Sequence, residues 1–414
     1  MGAVLNQAFN RRGEPHAIRH RIVLYSHDTM GLGHMRRNLL IAQALTCPTS
    51  QADVLMIAGA QEASDFALPP GVDVLTLPAL HKDRDGQYQP RSLGLTLQEL
   101  VDLRANTIRA ALEAFKPDVL IVDNVPRGAV GELNPTLDYL RVHGHTRCVL
   151  GLRDVLDDPA VTHREWAIAA NEEAIRDHYD AVWVYGDPAV YDPVREYNFS
   201  CDIAAKARYT GYLDQRMRLT SWEEGSDPLA DLGVPPGQLV FCAVGGGQDG
   251  ACLAEAFAQA ELPPETNGVL LTGPFMPLEV KQRLHRAALQ HPRLRILEFI
   301  PEPTLLLSRA DRVIAMGGYN TVCEVLSFEK RALIVPRVIP RLEQLIRAER
   351  LRDLGLIDML HPDDLTSRTL TAWLTTPADR LRRVRDRIDL NGFARLPHLL
   401  AEVLAAPRYL AQPA

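Results

Sequence analysis

The chain has 414 residues, 46% of them hydrophobic, which is enough to fill the cores of two domains of about 200 residues each. The formal net charge of −7 and a pI near 6.0 argue against nucleic acid as the main partner, because nucleic-acid binding needs a basic surface. No apolar run approaches the roughly 20 residues of a membrane span, and residues 1–20 lack the apolar segment of a signal peptide, so they are predicted to be a loose leader. We therefore predict a cytoplasmic protein without a transmembrane segment, for which peripheral contact with a membrane stays open.

The first domain is predicted over residues 21–213, where apolar β-branched runs alternate with segments of helical periodicity. This alternation indicates a parallel sheet covered on both faces, with ligands bound at the carboxyl ends of its strands. Strands are predicted at Ile22–Tyr25, Val54–Ala58, Val74–Leu77, Val119–Val122, Cys148–Leu152 and Ala181–Tyr185, and helices at Met35–Leu45, Leu97–Phe115 and Arg164–Asp177.

The pattern breaks over residues 214–237, which contain GSDP and GVPPG and are predicted to be a linker. A second domain is predicted over 238–392, and residues 393–414 contain an amphipathic helix that can pack back on the first domain. The chain is therefore predicted to be α/β, with two doubly wound Rossmann-like domains facing each other across a cleft. Strands of the second domain are predicted at Leu239–Val244, Gly268–Leu271, Arg295–Phe299, Arg312–Met316 and Ala332–Val335.

The first glycine loop, SHDTMGLGHMRRN, follows the first strand and leads into the first long helix. It lacks the third glycine of a dinucleotide fingerprint and the G-K-[ST] of a P-loop. It carries His27 and His34 instead, and the dipole at a helix N-terminus disfavours the imidazolium form of a histidine. Such a neutral imidazole can serve as a general base or donate a hydrogen bond to a phosphate. The alternative is a polar side chain that only satisfies free N–H groups of the helix.

Two more glycine loops lie in the second domain. Gly245–Gly247 follow its first strand and open a helix, while Gly317 and Gly318 precede a helix predicted to open at Thr321 and to carry Glu324 in its first turn. Glycine backbone and a helix N-terminus suit a phosphate, and the carboxylate of Glu324 can accept two ribose hydroxyls. The alternatives are a plain tight turn for the first loop and a Thr321–Glu324 capping box for the second.

The segments GGGQDG, FIPEPTLLLSRADRVIAMGGYNTVCEVL and EQLIRA resemble the nucleotide-sugar glycosyltransferases of the GT-B fold. Within that fold, the chain is similar to the group of the peptidoglycan N-acetylglucosaminyl transferase that makes lipid II. Apart from the leader, it resembles a predicted bacterial glycosyltransferase family related to that group, of which LIVDNVPRGAVGEL and LGLRDVLDDP are typical. The resemblance implies inverting, metal-independent transfer from a nucleotide-sugar donor, expected to be a UDP-sugar, without a cofactor.

The resemblance also implies a donor site. The chain departs from the family at Glu343, which stands where the family has the first of two paired glutamines, and this change can alter the sugar accepted. The implied residues are Gly245, Gly246, Gly247, Gln248, Gly317, Gly318 and Thr321 against the diphosphate, Glu324 on the ribose, Phe299 and Ile300 beside the nucleobase, Gln344 on the donor sugar, and Arg216 as a loosely matched phosphate ligand.

A second resemblance gives the alternative function. The run GLGHMRRNLL is similar to the G-x-G-H-x-x-R-C-L loop of the nucleotide-sugar hydrolases of pseudaminic acid synthesis, although no cysteine follows Arg37 here. Those enzymes share the two-domain architecture, and their loop histidine is thought to activate water. A nucleotide-sugar hydrolase or epimerase is therefore the second candidate.

Glycosyl transfer needs a base for the acceptor hydroxyl and stabilisation of the leaving diphosphate. His34 is the first candidate for the base, followed by His27 and by Asp123 at the end of a predicted strand. The acceptor itself is not identified by the sequence. It is predicted to contact Gly31, Gly33, Arg127, Arg153 and Asp154.

No metal site is predicted. The six cysteines stand singly, so neither a zinc ribbon nor a dithiol site is expected. Asp83-Arg-Asp85 has the form of a D-x-D metal motif but lies in a charged, glycine-containing stretch and is interpreted as a solvated turn. Glycine-loop N–H groups and helix dipoles would take over the stabilisation of the leaving group.

Overall fold

The computed structural model describes residues 19–27, 33–47, 52–59, 68–83, 87–220, 229, 232–377 and 383–407 of the chain. The predicted leader (residues 1–18 of it) and residues 221–228, 230 and 231 of the predicted linker lie outside this part. The strands of the first half are β1 (His20–Ser26), β2 (Ala52–Ala58), β3 (Val72–Thr76), β4 (Leu80–Lys82), β5 (Tyr88–Pro90), β6 (Val119–Asp123), β7 (Arg147–Arg153), β8 (Ala181–Tyr185) and β9 (Ala207–Tyr209).

The main sheet of the first half has seven strands in the order β3-β2-β1-β6-β7-β8-β9, and every neighbouring pair is parallel. The strand order reverses between β1 and β6, where a crevice opens at the carboxyl ends of the two strands. The short strands β4 and β5 form a separate antiparallel hairpin. The helices of this half are α1 (Gly33–Leu45), α2 (Leu97–Phe115), α3 (Asn134–His143), α4 (Pro159–Ile168), α5 (Asn171–His178), α6 (Pro193–Glu196) and α7 (Cys201–Lys206).

The second half repeats this plan with a six-stranded parallel sheet, in the order β12-β11-β10-β13-β14-β15, whose strand order reverses between β10 and β13. Its strands are β10 (Gln238–Ala243), β11 (Thr266–Leu271), β12 (Leu294–Leu297), β13 (Arg312–Ala315), β14 (Arg331–Ile334) and β15 (Asp358–Met359). Its helices are α8 (Ala251–Ala258), α9 (Leu278–Gln290), α10 (Thr304–Arg309), α11 (Tyr319–Ser327), α12 (Glu343–Asp353), α13 (Ser367–Thr375) and α14 (Gly392–Ala405).

The predicted fold class, two Rossmann-like units of α/β structure, is confirmed. One predicted helix was wrong: Arg164–Asp177 is two helices, α4 and α5, because the chain breaks at Ala170, whose φ of 48° lies in the left-handed region. The short strands β4, β5, β9 and β15 were not predicted, since two or three residues give no periodicity to detect. The exact domain boundaries stay a prediction.

The two halves are joined by more than the linker. Leu213, just after the first sheet, forms an antiparallel bridge with Asn391, and the C-terminal helix α14 packs against α1. Two residues after Leu213, the backbone N–H of Gln215 donates a 2.9 Å hydrogen bond to the side-chain oxygen of Ser327, at the end of α11. The C-terminal segment therefore returns to the first half, where it packs against α1, the helix that carries His34.

All six cysteines lie in the described part of the chain, and none of them forms a disulfide bond. Cys148, Cys242 and Cys323 are buried, and burial raises the pKa of each thiol well above its usual range. Cys201 in the first half and Cys252 in the second are exposed. Among the described helices, none has the length and apolar character needed to cross a membrane.

Candidate active site in the interdomain cleft

The first feature of the cleft is a histidine paired with a carboxylate. His34 lies in the first turn of α1, and Asp123 ends β6, the strand that pairs with β1. His34 Nδ1 forms a short hydrogen bond with Asp123 Oδ2. An ionised carboxylate can only accept, so Nδ1 donates the proton in this bond, and in a neutral imidazole Nε2 then has the free lone pair. About a quarter (24%) of the His34 side chain is exposed, so the ring can meet a substrate.

Asp123 is also paired with a buried arginine. Arg37 lies three residues after His34 on the same face of α1, and its Nη2 is 2.6 Å from Asp123 Oδ2. Burial by itself would raise the pKa of Asp123, but Arg37 and His34 outweigh it and hold the pKa well below its usual range. Such a carboxylate is a poor proton acceptor. Asp123 was predicted as an alternative base; the structure makes it the residue that orients His34.

The other histidine of the loop lies close by. The rings of His27 and His34 are 4.8 Å apart, centre to centre, and inclined by 56°. Asp123 accepts its hydrogen bond from His34, which favours His34 over His27 as the base. Gly31, predicted to contact the acceptor, lies outside the described residues.

Three predicted acceptor residues make contacts within the protein. Gly33 accepts a 2.8 Å hydrogen bond at its carbonyl from Asn320 Nδ2 of the second half. Arg127 donates to the carbonyls of Ala169 and Ala170, at 3.0 and 3.1 Å, at the break between α4 and α5. Asp154 is wholly buried in an ion pair with an arginine of the second half, where no acceptor hydroxyl can reach it, so the acceptor contact was wrong for Asp154. For Gly33 and Arg127 it stays a prediction.

Asp154 and Arg347 form the central contact between the halves. Arg347 Nη2 lies 2.8 Å from Asp154 Oδ1, and both side chains are 0% exposed. Asp154 also accepts a 2.8 Å hydrogen bond from Tyr212, and Arg347 donates a 3.0 Å bond to the carbonyl of Gly317. Arg347 thereby connects the carboxyl end of β7 to the glycine turn before α11.

The second half presents its first glycine loop at the carboxyl end of β10. Gly245 and Gly247 have φ values of 63° and 92°, which favour glycine. A Cβ on Gly247 would lie 2.2 Å from the carbonyl oxygen of Thr272, whereas one on Gly245 would meet no described atom within 4 Å. Gly245, Gly246 and Gln248 are exposed, and among the described residues no side chain caps the α8 N-terminus that follows. The loop therefore offers open backbone in front of a helix end.

The second loop lies beside the first, because β10 and β13 are neighbours. The α11 helix begins at Tyr319, not at the predicted Thr321, so Glu324 lies in its second turn. The capping-box alternative is therefore excluded. Within the part of the chain that the structure describes, a Cβ on Gly318 would meet nothing within 4 Å, and no side chain caps this helix either. Gly317 differs, because a Cβ there would come within 3.0 Å of the Gln344 carbonyl oxygen, so Gly317 permits close packing of α12.

Glu324 is buried, with 6% exposure, in a small ionic cluster. Its Oε1 accepts hydrogen bonds from Arg218 Nη1 at 3.0 Å and from Thr304 Oγ1 at 3.1 Å. Burial raises the pKa of Glu324, and the charges of Arg218 and Arg36 offset this only in part. Arg218 also pairs with Glu302 at 2.8 Å.

The predicted phosphate ligand Arg216 lies in a local ion pair, and its contact with phosphate stays a prediction. Arg216 is half exposed and binds Asp214, its neighbour on the turn, at 2.8 Å. The arginine that reaches the second half is Arg218, two residues later, and no local sequence pattern distinguishes the two arginines.

The residues expected beside the nucleobase and the sugar follow β12 and β14. Phe299 is 57% exposed and Ile300 is half-buried. Gln344 Oε1 accepts a 3.1 Å hydrogen bond from the backbone N–H of Arg337. Phe275, which was not predicted, is 39% exposed and would contact a Cβ on Gly246 at 3.4 Å, so it adds a second aromatic surface beside the loop.

Glu343, the departure from the family pattern, is surrounded by arginines. Its carboxylate lies 3.0 Å from Arg347, 3.5 Å from Arg337 and 3.8 Å from Arg153. Arg337 in turn binds Asp249 of the glycine loop at 2.9 Å. A carboxylate at this position therefore holds cations together around the start of α12, which a glutamine could not do.

Within the described residues, no group of three or more His, Cys, Asp or Glu side chains is arranged to hold a metal ion. Asp83 accepts a 2.9 Å hydrogen bond from the backbone N–H of Gln87, as a turn residue does, while Asp85 lies outside the described part.

Comparison with known proteins agrees with this arrangement. Residues 241–382 match the glycosyltransferase family 28 C-terminal domain. A sequence search of the curated proteins finds no match. Many solved structures share the fold.

Three of them illustrate the range. MurG of Acinetobacter baumannii is 16% identical, with a TM-score of 0.54 over 93% of this chain and 100% of that chain. A UDP-glucose:anthocyanidin 3-O-glucosyltransferase in complex with UDP is 12% identical, with a TM-score of 0.61 over 94% of this chain and 99% of that one. A proposed UDP-N-acetylglucosamine 2-epimerase from Listeria monocytogenes is 13% identical, with a TM-score of 0.59 over 93% and 96%. At these identities each structure shows the fold only.

Proposed function

We propose that this chain, which has the GT-B fold, is a glycosyltransferase that moves a sugar from a nucleoside diphosphate-sugar, with uridine as the expected base, to an acceptor hydroxyl. The observation that supports this most directly is the 2.8 Å hydrogen bond from Asn320, in the first turn of α11, to the carbonyl of Gly33, the residue before His34. It holds the candidate base of one half beside the uncapped helix end of the other. A base and an anion site are thus within reach of one bound substrate pair.

In this proposal His34 removes the acceptor proton. Its Nε2 takes the proton from the hydroxyl, and Asp123, hydrogen-bonded to Nδ1, stabilises the imidazolium that forms. Arg37 keeps Asp123 ionised and fixed in position. The three side chains come from α1 and β6, which are rigid elements.

The acceptor oxygen then bonds to the anomeric carbon of the donor while the bond from that carbon to the diphosphate oxygen breaks. The electron pair of the broken bond goes to the diphosphate. Backbone N–H groups of the Gly245–Gly247 loop and the N-termini of α8 and α11 would stabilise the charge that develops there, without a metal ion. A single displacement of this kind inverts the anomeric centre; the inversion rests on family analogy.

Replacing Glu324 with glutamine is expected to weaken nucleoside diphosphate binding by about 10- to 100-fold, because an amide accepts ribose hydroxyls less strongly than a carboxylate does. In the unsubstituted protein, affinity should fall as the pH is lowered through the raised pKa of Glu324, since only the ionised form accepts both hydroxyls. The fall should come at a higher pH than for an ordinary glutamate. Calorimetric titration with UDP between pH 5 and 8 measures both effects.

Glu302→Gln is the matched control for this prediction. Glu302 binds the same Arg218 but is not expected to contact the ribose, so its replacement should change the affinity for UDP much less. If both substitutions weakened UDP binding equally, the ionic cluster would affect binding only through the packing of the linker, and not through a contact of Glu324 with the ribose.

The second candidate function, hydrolysis or epimerisation of a nucleotide-sugar, uses the same site with water, or no second substrate, in place of the acceptor. The loop resemblance around His34 and the structural likeness to a proposed epimerase favour it as the alternative. Incubating the protein with a panel of nucleotide-sugars, with and without a cell extract as the source of acceptor, distinguishes sugar transfer from hydrolysis and from epimerisation. Release of nucleoside diphosphate at full rate without the extract would overturn the proposed transfer, and so would conversion of one nucleotide-sugar into another.

The cytoplasmic location and the lack of a cofactor stay predictions of the sequence. The mass of a small molecule that copurifies with the protein would identify the donor directly.

A further inference from the structure

Arg153 differs from the other arginines of the cleft in its contacts. It ends β7, and its side chain is 20% exposed. Arg37, Arg127 and Arg347 each donate several hydrogen bonds. In the described part of the chain Arg153 donates none, its Nε is buried without a partner, and its nearest carboxylate, Glu343, is 3.8 Å away.

A largely buried guanidinium with so few hydrogen-bond partners is energetically unfavourable. Burial lowers the pKa of Arg153, and the nearby charges of Arg37 and Arg347 lower it further, against the opposing effect of Glu343. A guanidinium has five N–H donors, and water reaches only part of this one. A bound anion would satisfy these donors and neutralise the charge.

The surroundings of Arg153 indicate which anion. Although Arg153 belongs to the first half, its closest charged partner, Glu343, begins α12 of the second half. Glu343 is bound by Arg347, and Arg347 donates to the carbonyl of Gly317, directly before the open Gly318 and the α11 N-terminus. Asp123 and Arg37, which bind His34 and each other, are also close enough for their charges to affect the pKa of Arg153. The guanidinium therefore lies near the groups that hold the candidate base and near those that hold the turn of the candidate diphosphate loop.

We infer that Arg153 binds the terminal phosphate of the nucleoside diphosphate part of the donor, and not the acceptor as its position in the sequence predicted. This inference rests on the proposed function. The planar guanidinium can donate two parallel hydrogen bonds to phosphate oxygens. When the bond between the anomeric carbon and the diphosphate oxygen breaks, the electron pair stays on that phosphate, and Arg153 stabilises the added charge.

The assignment gives the first half of the molecule a direct contact with the leaving group. Glycine loops and helix ends of the second half can hold the diphosphate whether the halves are close or apart, but Arg153 reaches it only when they are in the arrangement seen here. Departure of the leaving group is thereby coupled to closure of the cleft, which also excludes water.

The test compares UDP with UMP, which lacks the terminal phosphate. Arg153→Gln is expected to weaken binding of UDP by about tenfold or more and to leave binding of UMP unchanged, with Arg153→Lys recovering part of the loss. Affinities are measured by calorimetry on the full chain, and the melting temperature of each variant shows that it is folded. Arg350→Gln, which removes an arginine that also bridges the halves but binds Glu196 at the half-exposed rim, should change neither affinity.

Three results would overturn the assignment. Equal weakening of UDP and UMP would indicate a general structural role. Unchanged UDP affinity together with a raised KM for the acceptor would mean that Arg153 contacts the acceptor, as the sequence predicted. A loss confined to UDP-glucuronate, with UDP and UDP-glucose unaffected, would mean that Arg153 binds a carboxylate on the sugar. Failure of the unsubstituted protein to bind any of UDP, TDP or GDP would instead overturn the proposed function itself, and with it this assignment.

Discussion

Replacing His34 with alanine is expected to lower kcat by about 10²–10⁴-fold, the range that a positioned general base contributes. The loss should appear in the chemical step, because the imidazole is the group placed to accept the acceptor proton. Affinity for UDP should be nearly unchanged, since the phosphate loops belong to the other half of the molecule. Initial rates at saturating donor and acceptor give kcat, and calorimetry gives the dissociation constant for UDP.

Two further variants distinguish His34 as the base from a general disturbance of the loop. Asp123→Asn should also lower kcat strongly, because an amide neither stabilises the imidazolium nor fixes the tautomer, and it should change the pH profile of kcat. His27→Gln is the matched control, because the His27 ring lies 4.8 Å from that of His34 but the carboxylate is bound to His34. If His27→Gln lowered kcat as much as His34→Ala, the assignment of the base would be wrong.

Replacing Arg347 with methionine is expected to lower the free energy of unfolding by about 3–5 kcal/mol, because it leaves the buried carboxylate of Asp154 without its counter-ion. Both partners are 0% exposed, so water cannot substitute for the lost guanidinium. The change also removes the hydrogen bonds from Arg347 to Glu343 and to the Gly317 carbonyl. The shift in the midpoint of urea unfolding measures the effect.

A second substitution tests the cause. Adding Asp154→Asn to Arg347→Met removes the uncompensated charge and should restore part of the lost stability. Arg350→Gln removes a half-exposed pair at the rim of the same interface, for which about 0–1 kcal/mol is expected. A loss in Arg347→Met no greater than in Arg350→Gln would show that the central pair does not hold the halves together.

The order and type of the long elements could be predicted because each strand is a nearly continuous apolar run. The predicted strand Val119–Val122 and helix Leu97–Phe115, for example, match β6 and α2 closely. The break between α4 and α5 could not be predicted, because alanine at position 170 gives no sign that it takes a left-handed conformation. The start of α11 was misplaced by two residues because Tyr319 and Asn320 look like loop residues when their contacts across the cleft are unknown.

The site was predictable only where chain position fixes what a residue can reach. Glycines after β10 and β13 and the carboxylate at the end of β6 must lie at the carboxyl edges of their sheets. The partners across the cleft could not be read from local sequence. Asp154 and Arg347 are 193 residues apart, and the interaction of Arg218 with Glu324 spans 106 residues. The misassignment of Asp154 arises from such a distant pair.

The exposed thiol of Cys252 is two residues past Gly250, in the first turn of the helix behind the Gly245–Gly247 loop. Because that helix begins where a nucleotide on the loop would lie, we expect bound nucleotide to slow alkylation of Cys252 and to leave the exposed thiol of Cys201 on the other half unaffected. The ratio of the two rates would then measure occupancy of the loop. Mass spectrometry of iodoacetamide-treated protein can rank donor candidates without any engineered label.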